Sequence, residues 1–329
     1  MSQDAQRAGP LVTIGISTYN RAASTFPASL ESALAQTYPE LEVLVCDNAS
    51  EDDTERLMRS VRDPRVRYHR HPRNIGASAN FDSCLDMARG RYFVLLHDDD
   101  LLEPTFVERA MEAVARGGDV GVVLAAVELI DADGNRQGSV AAPPDGLPAA
   151  ELFLGWFARR FSFYLCTTVF HRERLQHVGG FESPEGLFQD VVAIVRLVAR
   201  HGYHALPETG GSFRRHANSR TAAGAARRWA RDARFLLDTL IEEMPADAQR
   251  LRAAGAPYLS ITSYRYVRAI ESADERRELY REVFELFDRS YAPWRFVARA
   301  LRRSVRTALA RRLAGARSLV RASRAERAA

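Results

Sequence analysis

Short apolar runs alternate with segments of helical spacing over the first 130 positions of this chain. Leu11-Val-Thr-Ile-Gly-Ile-Ser-Thr18 is a β-branched apolar run, which predicts a buried strand. Ala28 to Gln36 has helical spacing, and Leu41-Glu-Val-Leu-Val-Cys46 predicts a second strand that ends at Asp47. Thr54 to Val61 reads as a helix, with Asp52 and Asp53 favoured at its positive end. Val66 to Tyr68 predicts a short strand, and Ser78 to Ala88 a helix closed by Gly90. Tyr92-Phe-Val-Leu-Leu96 is the next strand and runs into Asp98-Asp99-Asp100. Pro104 opens a helix that reaches about Ala115, and Val120 to Leu129 is another apolar strand.

This alternation predicts an α/β fold, a doubly wound and mostly parallel sheet with helices on both faces. Ligands of such sheets bind beyond the carboxyl ends of the strands. The polar residues there are Tyr19-Asn-Arg21, Asp47-Asn48 and Asp98-Asp-Asp100, so three separate strand ends supply one rim. Ile130 to Pro148 is rich in Gly, Pro and Asp and predicts a loop or domain seam. Leu152 to Phe170 mixes a short helix with an aromatic strand. Phe188 to Arg200 predicts a helix with Val191, Ile194, Val195 and Val198 on one stripe, and the chain is helical from about Ala222.

Composition changes this picture little. At 329 residues, 46% hydrophobic and 27% charged, the chain can bury a sizeable core. Charge is informative because it is uneven. Between Tyr291 and Ala329 eleven Arg face one acid, Glu326, a net of +10; the whole chain carries +4, so the first 290 residues carry −6. The basic balance belongs to the tail and does not mark the body as a nucleic-acid binder; no recognised nucleic-acid motif is present. Cys46, Cys84 and Cys166 are widely spaced and odd in number, so neither a disulfide framework nor a zinc site is expected. Reduced thiols and an N-terminus without signal-peptide order predict a cytoplasmic location. No apolar run approaches the ~20 residues of a membrane span.

The chemistry is concentrated in Asp98-Asp99-Asp100. Adjacent carboxylates repel one another unless a cation compensates, and oxygen ligands favour Mg²⁺ or Mn²⁺. An exposed acidic turn is the alternative, but the triplet follows a buried strand on the same rim as Asp47.

Four segments in order carry a family resemblance: Ile16-Ser-Thr-Tyr-Asn-Arg21, Val45-Cys-Asp-Asn-Ala-Ser50, Asn74-Ile-Gly-Ala-Ser-Ala-Asn80 and Gly90-Arg-Tyr-Phe-Val-Leu-Leu-His-Asp-Asp-Asp100. Residues 11 to about 220 resemble the family 2 glycosyltransferases, inverting enzymes of GT-A fold that use nucleotide sugars. The resemblance implies that Thr18, Tyr19 and Arg21 hold the nucleotide base and that Asp47 reaches its edge, although Asp47 could also serve as a turn or cap residue. It implies a nucleotide contact for Asn80, with Asn74 and Gly76 shaping a turn. Asp98 approaches the ribose, Asp99 ligates the metal, and Asp100 shares that role. His97 stands where many relatives have Asp, and it reads as a packed polar residue.

Gly179-Gly-Phe-Glu182 followed by Phe188-Gln-Asp190 resembles the family's Gly-Gly-Phe segment and acidic helix start, which makes Asp190 the expected catalytic base. Relatives commonly carry Glu where this chain has Gln189. Phe213-Arg-Arg-His216 resembles a later segment whose His helps bind metal or diphosphate, so His216 is a candidate ligand. Arg214 and Arg215 are read equally as diphosphate contacts or solvent-facing residues.

The implied organisation is a disordered stretch over 1–10, a nucleotide-sugar-binding half over 11–130, an acceptor-binding half over 131–221, and a helical region over 222–329. The implied reaction transfers a sugar from a nucleoside-diphosphate sugar to the hydroxyl of a saccharide or lipid-linked acceptor, with Mn²⁺ or Mg²⁺, in bacterial polysaccharide or glycoconjugate synthesis. A nucleotidyltransferase and a non-catalytic nucleotide-sugar-binding protein are the alternatives. In the tail, Val297, Leu301, Val305, Leu309 and Leu313 recur every four residues beside Arg295, Arg299, Arg302, Arg303 and Arg306. This basic amphipathic helix suits an anionic membrane surface, packing on the body, or a partner chain.

Overall fold

The structure is a computed structural model that describes residues 9–215, 226–299 and 302. It divides into two compact units, Met1–Gly255 and Ala256–Ala329.

The first unit holds a nine-stranded sheet. Its first half is β1 (Val12–Thr18), α1 (Phe26–Leu34), β2 (Leu41–Asp47), α2 (Thr54–Ser60), β3 (Val66–Arg70), α3 (Ala77–Met87) and β4 (Tyr92–His97). β5 (Leu101–Leu102), α4 (Phe106–Gly117), β6 (Val122–Ile130), β7 (Arg136–Val140), α5 (Ala149–Phe157), β8 (Thr168–His171) and α6 (Arg172–His177) follow. α7 (Gln189–His201), β9 (Tyr203–Arg214) and α8 (Ala226–Glu243) complete the unit, except that α9 (Ala248–Val267) begins within it.

The strand order is β3-β2-β1-β4-β8-β6-β9-β5, with β7 on β6. β1, β2, β3 and β4 pair in parallel, and β8 is antiparallel to both β4 and β6. β9 is parallel to β6, while β5 and β7 run against their neighbours. Six strands therefore share one direction, as the alternating sequence predicts. Every residue of β1 and β2 is buried, the pattern of strands covered on both faces. Val12, Ile14, Ile16, Val43, Val45, Val94 and Leu96 form the centre of the core. Gly15 lets this layer close up: a Cβ there would stand 2.8 Å from Phe93 and 3.0 Å from Cys84 of α3.

Two strands depart from the sequence reading. The stretch Ile130–Pro148, predicted as a loop, contains β7, joined to β6 by a turn in which Asp131 Oδ1 accepts from the N–H groups of Asp133 and Asn135. β9 was masked in sequence by Pro207 and the Gly210-Gly211 pair. These fall where its register on β6 slips: Leu206 pairs with Ala125, but Thr209 with Ala126 and Gly211 with Val127.

In the second unit, α10 (Ala273–Leu286) buries Leu279 and Val283. Tyr264 is fully buried, packs on the rings of Tyr280 and Phe296, and donates its hydroxyl to the Tyr291 carbonyl at 2.9 Å. No helix of the described residues is long and apolar enough to cross a membrane.

Candidate active site

The parallel register fixes the rim. Thr18 at the end of β1 pairs with Asp47 of β2 on one side, and Ser17 pairs with His97 of β4 on the other. The loops beyond β1 and β2 are knitted together. Asn20 N–H donates to Ser50 Oγ at 2.9 Å, Ala22 N–H to Asp52 Oδ2 at 2.9 Å, and Glu51 N–H to Asn20 Oδ1 at 2.7 Å. Asn20 and Ala49 both sit at positive φ, 54° and 62°. For Ala this conformation is rare, and it is held here by the surrounding bonds.

The predicted nucleotide-binding residues gather on this rim. Thr18 is buried and Tyr19 is 41% exposed, its N–H donating to Asp98 Oδ2 at 3.1 Å. Asp98 is drawn up to a pKa of about 6, first by burial and then by the charge of Asp99; the Thr18 hydroxyl, the Tyr19 N–H and the Arg21 charge oppose this. Asp47 has no exposed surface. Its Oδ1 accepts from Ser50 N–H at 2.8 Å and its Oδ2 from the Tyr68 hydroxyl at 2.7 Å, with Arg70 Nε 3.5 Å away.

Asn80 differs from the expected nucleotide contact. It is fully buried on α3, and its Nδ2 donates to Ser17 Oγ at 2.7 Å and to the Cys46 carbonyl at 2.9 Å. It ties β1 to β2 beneath the rim.

The acidic turn brings Asp99 and Asp100 together with a residue that the sequence reading set aside. One ligand atom each from His97, Asp99 and Asp100 lies within 4.8 Å of the others. His97 Nδ1 is 3.8 Å from Asp100 Oδ2, and the imidazole also stacks on Phe81 at 5.0 Å. His97 is thus packed, as expected, and also placed among the carboxylates. Its position directly before the triplet, at the end of β4, is the signal that marks it. Asp100 is buried, and burial together with the charge of Asp99 holds its carboxyl well above the usual range. This donor set fits a divalent cation: two carboxylates and an imidazole would hold one, and it would offset the buried charge. His216 lies outside the described residues.

Arg214 faces neither solvent nor the rim opening. It is buried at the end of β9, its Nε donating to the Asp99 carbonyl at 2.8 Å and its NH1 to the carbonyls of Asp131 and Ala132, both at 3.1 Å. Sequence gave no sign of this role, which depends on the unrecognised strand β9.

Asp190 stands in the first turn of α7. Its pKa is pushed up to about 6, chiefly by desolvation, with nearby Asp232 adding to the rise and the N–H groups of Val191 and Asp190 opposing it. α3 links this end of α7 to the acidic turn. Phe81 stacks on His97, and a Cβ at Gly186 would stand 2.7 Å from Ser78 Oγ.

A mostly parallel sheet with an acidic turn at its carboxyl rim and a carboxylate on a following helix defines a protein of GT-A fold. The solved structure of residues 1–349 of TarS from S. aureus, in complex with UDP-GlcNAc, aligns with a TM-score of 0.65 at 13% identity and covers 84% of this chain and 81% of that one. Residues 13–170 match the model of the Glycosyl transferase family 2. The succinoglycan biosynthesis protein ExoO of Rhizobium meliloti is 30% identical over 208 residues, 61% of this chain and 60% of that protein. The glucosyltransferase WfaP of Escherichia coli, named for UDP-Glc and an α-D-GlcNAc-diphosphoundecaprenol acceptor, is 38% identical over 90 residues, 27% of this chain and 36% of WfaP. The chain is similar to glycosyl transferase family 2 over residues 13–170, just under half of its length. It spans less than two thirds of the length of these curated relatives.

Proposed function

We propose that this chain is an inverting glycosyltransferase that moves a sugar from a nucleoside-diphosphate sugar to an acceptor hydroxyl. The observation that carries the reading is the convergence of Thr18, Asp47 and the His97–Asp100 turn on one rim through the register of three parallel strands. The nucleotide lies against Thr18, Tyr19, Arg21 and Asp47, with its ribose toward Asp98. Asn80 acts through the positions of Ser17 and Cys46 rather than by touching the donor.

Asp99 and Asp100, with His97, hold Mn²⁺ or Mg²⁺, and the imidazole favours Mn²⁺, the softer of the two. When bound, the cation supplies charge that offsets the negative charge developing on the departing nucleoside diphosphate. Asp190 takes the proton of the acceptor hydroxyl as its oxygen bonds to the anomeric carbon. The bond from that carbon to the diphosphate oxygen breaks in the same step, which inverts the centre. A carboxylate pushed up to about 6 is deprotonated at neutral pH and still basic enough for this task.

The proposed acceptor is a saccharide or lipid-linked sugar in polysaccharide synthesis, as the names of the relatives suggest. We further place the chain at the inner face of the cell membrane. Trp294 and Val297 are exposed beside Arg295, Arg299 and Arg302, a pairing suited to anionic lipid. The rest of the proposed stripe lies beyond the described residues. Flotation with phosphatidylglycerol vesicles tests this: the full chain should float and a chain ending at Arg289 should not.

Thermal unfolding with UDP-glucose, UDP-N-acetylglucosamine and GDP-mannose, with Mn²⁺ or chelator, tests the donor reading. A true donor at 100 times its Kd adds about 2.7 kcal/mol of stability. The reading requires a midpoint shift with Mn²⁺ that chelator removes; no shift with any nucleotide sugar contradicts it.

A further inference from the structure

Outside the rim, α8 carries a fully buried carboxylate that the proposed mechanism does not use. Asp232 has no exposed surface and takes four hydrogen bonds, all from the segment 183–188. Its Oδ2 accepts from Ser183 Oγ at 2.7 Å, Leu187 N–H at 2.7 Å and Phe188 N–H at 2.8 Å. Its Oδ1 accepts from Glu185 N–H at 2.9 Å. A buried charge is tolerated only when its lone pairs are filled in this way.

The same face of α8 grips the segment twice more. Arg228 Nε and Arg231 NH1 donate to the Glu185 carboxylate at 2.7 and 3.1 Å, and Arg228 NH2 donates to the Glu185 carbonyl at 3.1 Å. Trp229 meets Phe188 edge-on, with ring centroids 5.4 Å apart. Phe188 is the residue before α7 and has no side-chain cap of its own, so α8 supplies what that helix start lacks. Asp190 follows two residues later.

We propose that Asp232 is the positioning residue for the catalytic carboxylate: it fixes the 183–188 segment, and with it the first turn of α7, so that Asp190 is aimed at the acceptor hydroxyl. This rests on Asp190 being the base. A second consequence follows from charge. The charged groups around the segment are Glu185, already paired with Arg228 and Arg231, and Asp232, whose negative charge disfavours ionisation of Asp190. Asp232 therefore sets both the aim and the basicity of Asp190. An Asn at 232 has one acceptor oxygen in place of two, so its N–H₂ would face at least the Glu185 N–H, weakening the grip on the segment, and its neutral side chain would remove the charge.

The experiment uses the full chain, calorimetry with UDP and Mn²⁺, and steady-state kinetics from pH 5 to 8 with whichever of the three nucleotide sugars above is turned over. Asp232→Asn should lower kcat at least tenfold, leave UDP affinity within twofold of wild type, and move the acid limb of the kcat profile to lower pH. A role in folding alone would reduce the active fraction without moving that limb. Ser183→Ala removes one donor and keeps the carboxylate charge; it guards against a misfolded Asn variant and should lower kcat by a smaller factor without moving the acid limb to lower pH. Wild-type kcat and an unmoved acid limb in Asp232→Asn, or wild-type kcat in Ser183→Ala if the former does not fold, overturn the proposal. Asp190→Asn is measured alongside: if it keeps full turnover, the base assignment has failed, whereas an inactive Asp190→Asn beside an unaltered Asp232→Asn removes only the positioning role.

Discussion

The N–H of Arg214 donates to Asp100 Oδ1 at 2.9 Å, joining positions 114 residues apart in sequence. The last strand of the sheet thereby braces the acidic turn, and the Arg214 guanidinium completes the brace through the Asp99 carbonyl. The backbone bond survives substitution of the side chain, but the three carbonyl contacts do not.

Arg214→Met should therefore cost about 1–2 kcal/mol of stability, since the part-buried carbonyls of Asp99, Asp131 and Ala132 lose a charged donor. Urea unfolding gives this number. The loosened Asp99 should also weaken the Mn²⁺-dependent midpoint shift, which a pure stability effect would leave intact once corrected for the new baseline.

Asp100→Asn separates stability from function. Without a cation the buried Asp100 charge is unfavourable, and Asn can still accept from Arg214 N–H through its Oδ1. In chelator this variant should be as stable as wild type or more so. It should nonetheless lose the Mn²⁺-dependent shift in the presence of UDP. A variant destabilised by more than about 1 kcal/mol in chelator contradicts the reading of Asp100 as an uncompensated charge.

Asp190 sets a pH dependence with a defined sign. Its folded pKa of about 6 lies above the unfolded value, so the native state holds its proton more tightly. Its contribution to stability is present in full below about pH 4 and is lost as pH rises through about 6. Turnover has the opposite trend, because the base must be ionised, and kcat should fall below about pH 6. Asp190→Asn should lower kcat by about 10²–10⁴ and flatten the difference in stability between pH 4 and 6. Urea unfolding at those two pH values checks the second point.

Asn80→Ala should act on the scaffold. Losing the bonds to Ser17 and the Cys46 carbonyl at a fully buried site costs about 2–4 kcal/mol. The pH profile of kcat should keep its shape. A changed acid limb would show that Asn80 also acts on the chemistry.

Much of the site was legible because parallel strands advertise themselves. β1, β2 and β4 are buried on both faces, so their sequences are apolar runs, and each ends in a polar residue that has to lie on the rim. Asp47, Asp98 and Asp99 could be placed on the rim from such local signals, whereas Asp190 is identified only through the family resemblance of the segment around it. What could not be read depends on contacts distant in sequence. β9 has the composition of a turn because its bulges require Pro207 and glycine, and without β9 the role of Arg214 is invisible. Asp232 reads as one more polar residue on an amphipathic helix until α8 is seen against the 183–188 segment. His97 reads as a packed polar residue, and it does stack on Phe81, but it is half-buried and also neighbours the carboxylates.

The most direct test follows nucleoside diphosphate release from a nucleotide sugar in the presence of an acceptor glycan, comparing wild type, Asp99→Asn and Asp190→Asn with Mn²⁺ and with chelator. Release by wild type that stops in chelator and falls by about 10² or more in both variants is the predicted result. Release that continues undiminished in Asp99→Asn, or none from wild type with any donor and acceptor, would contradict the account.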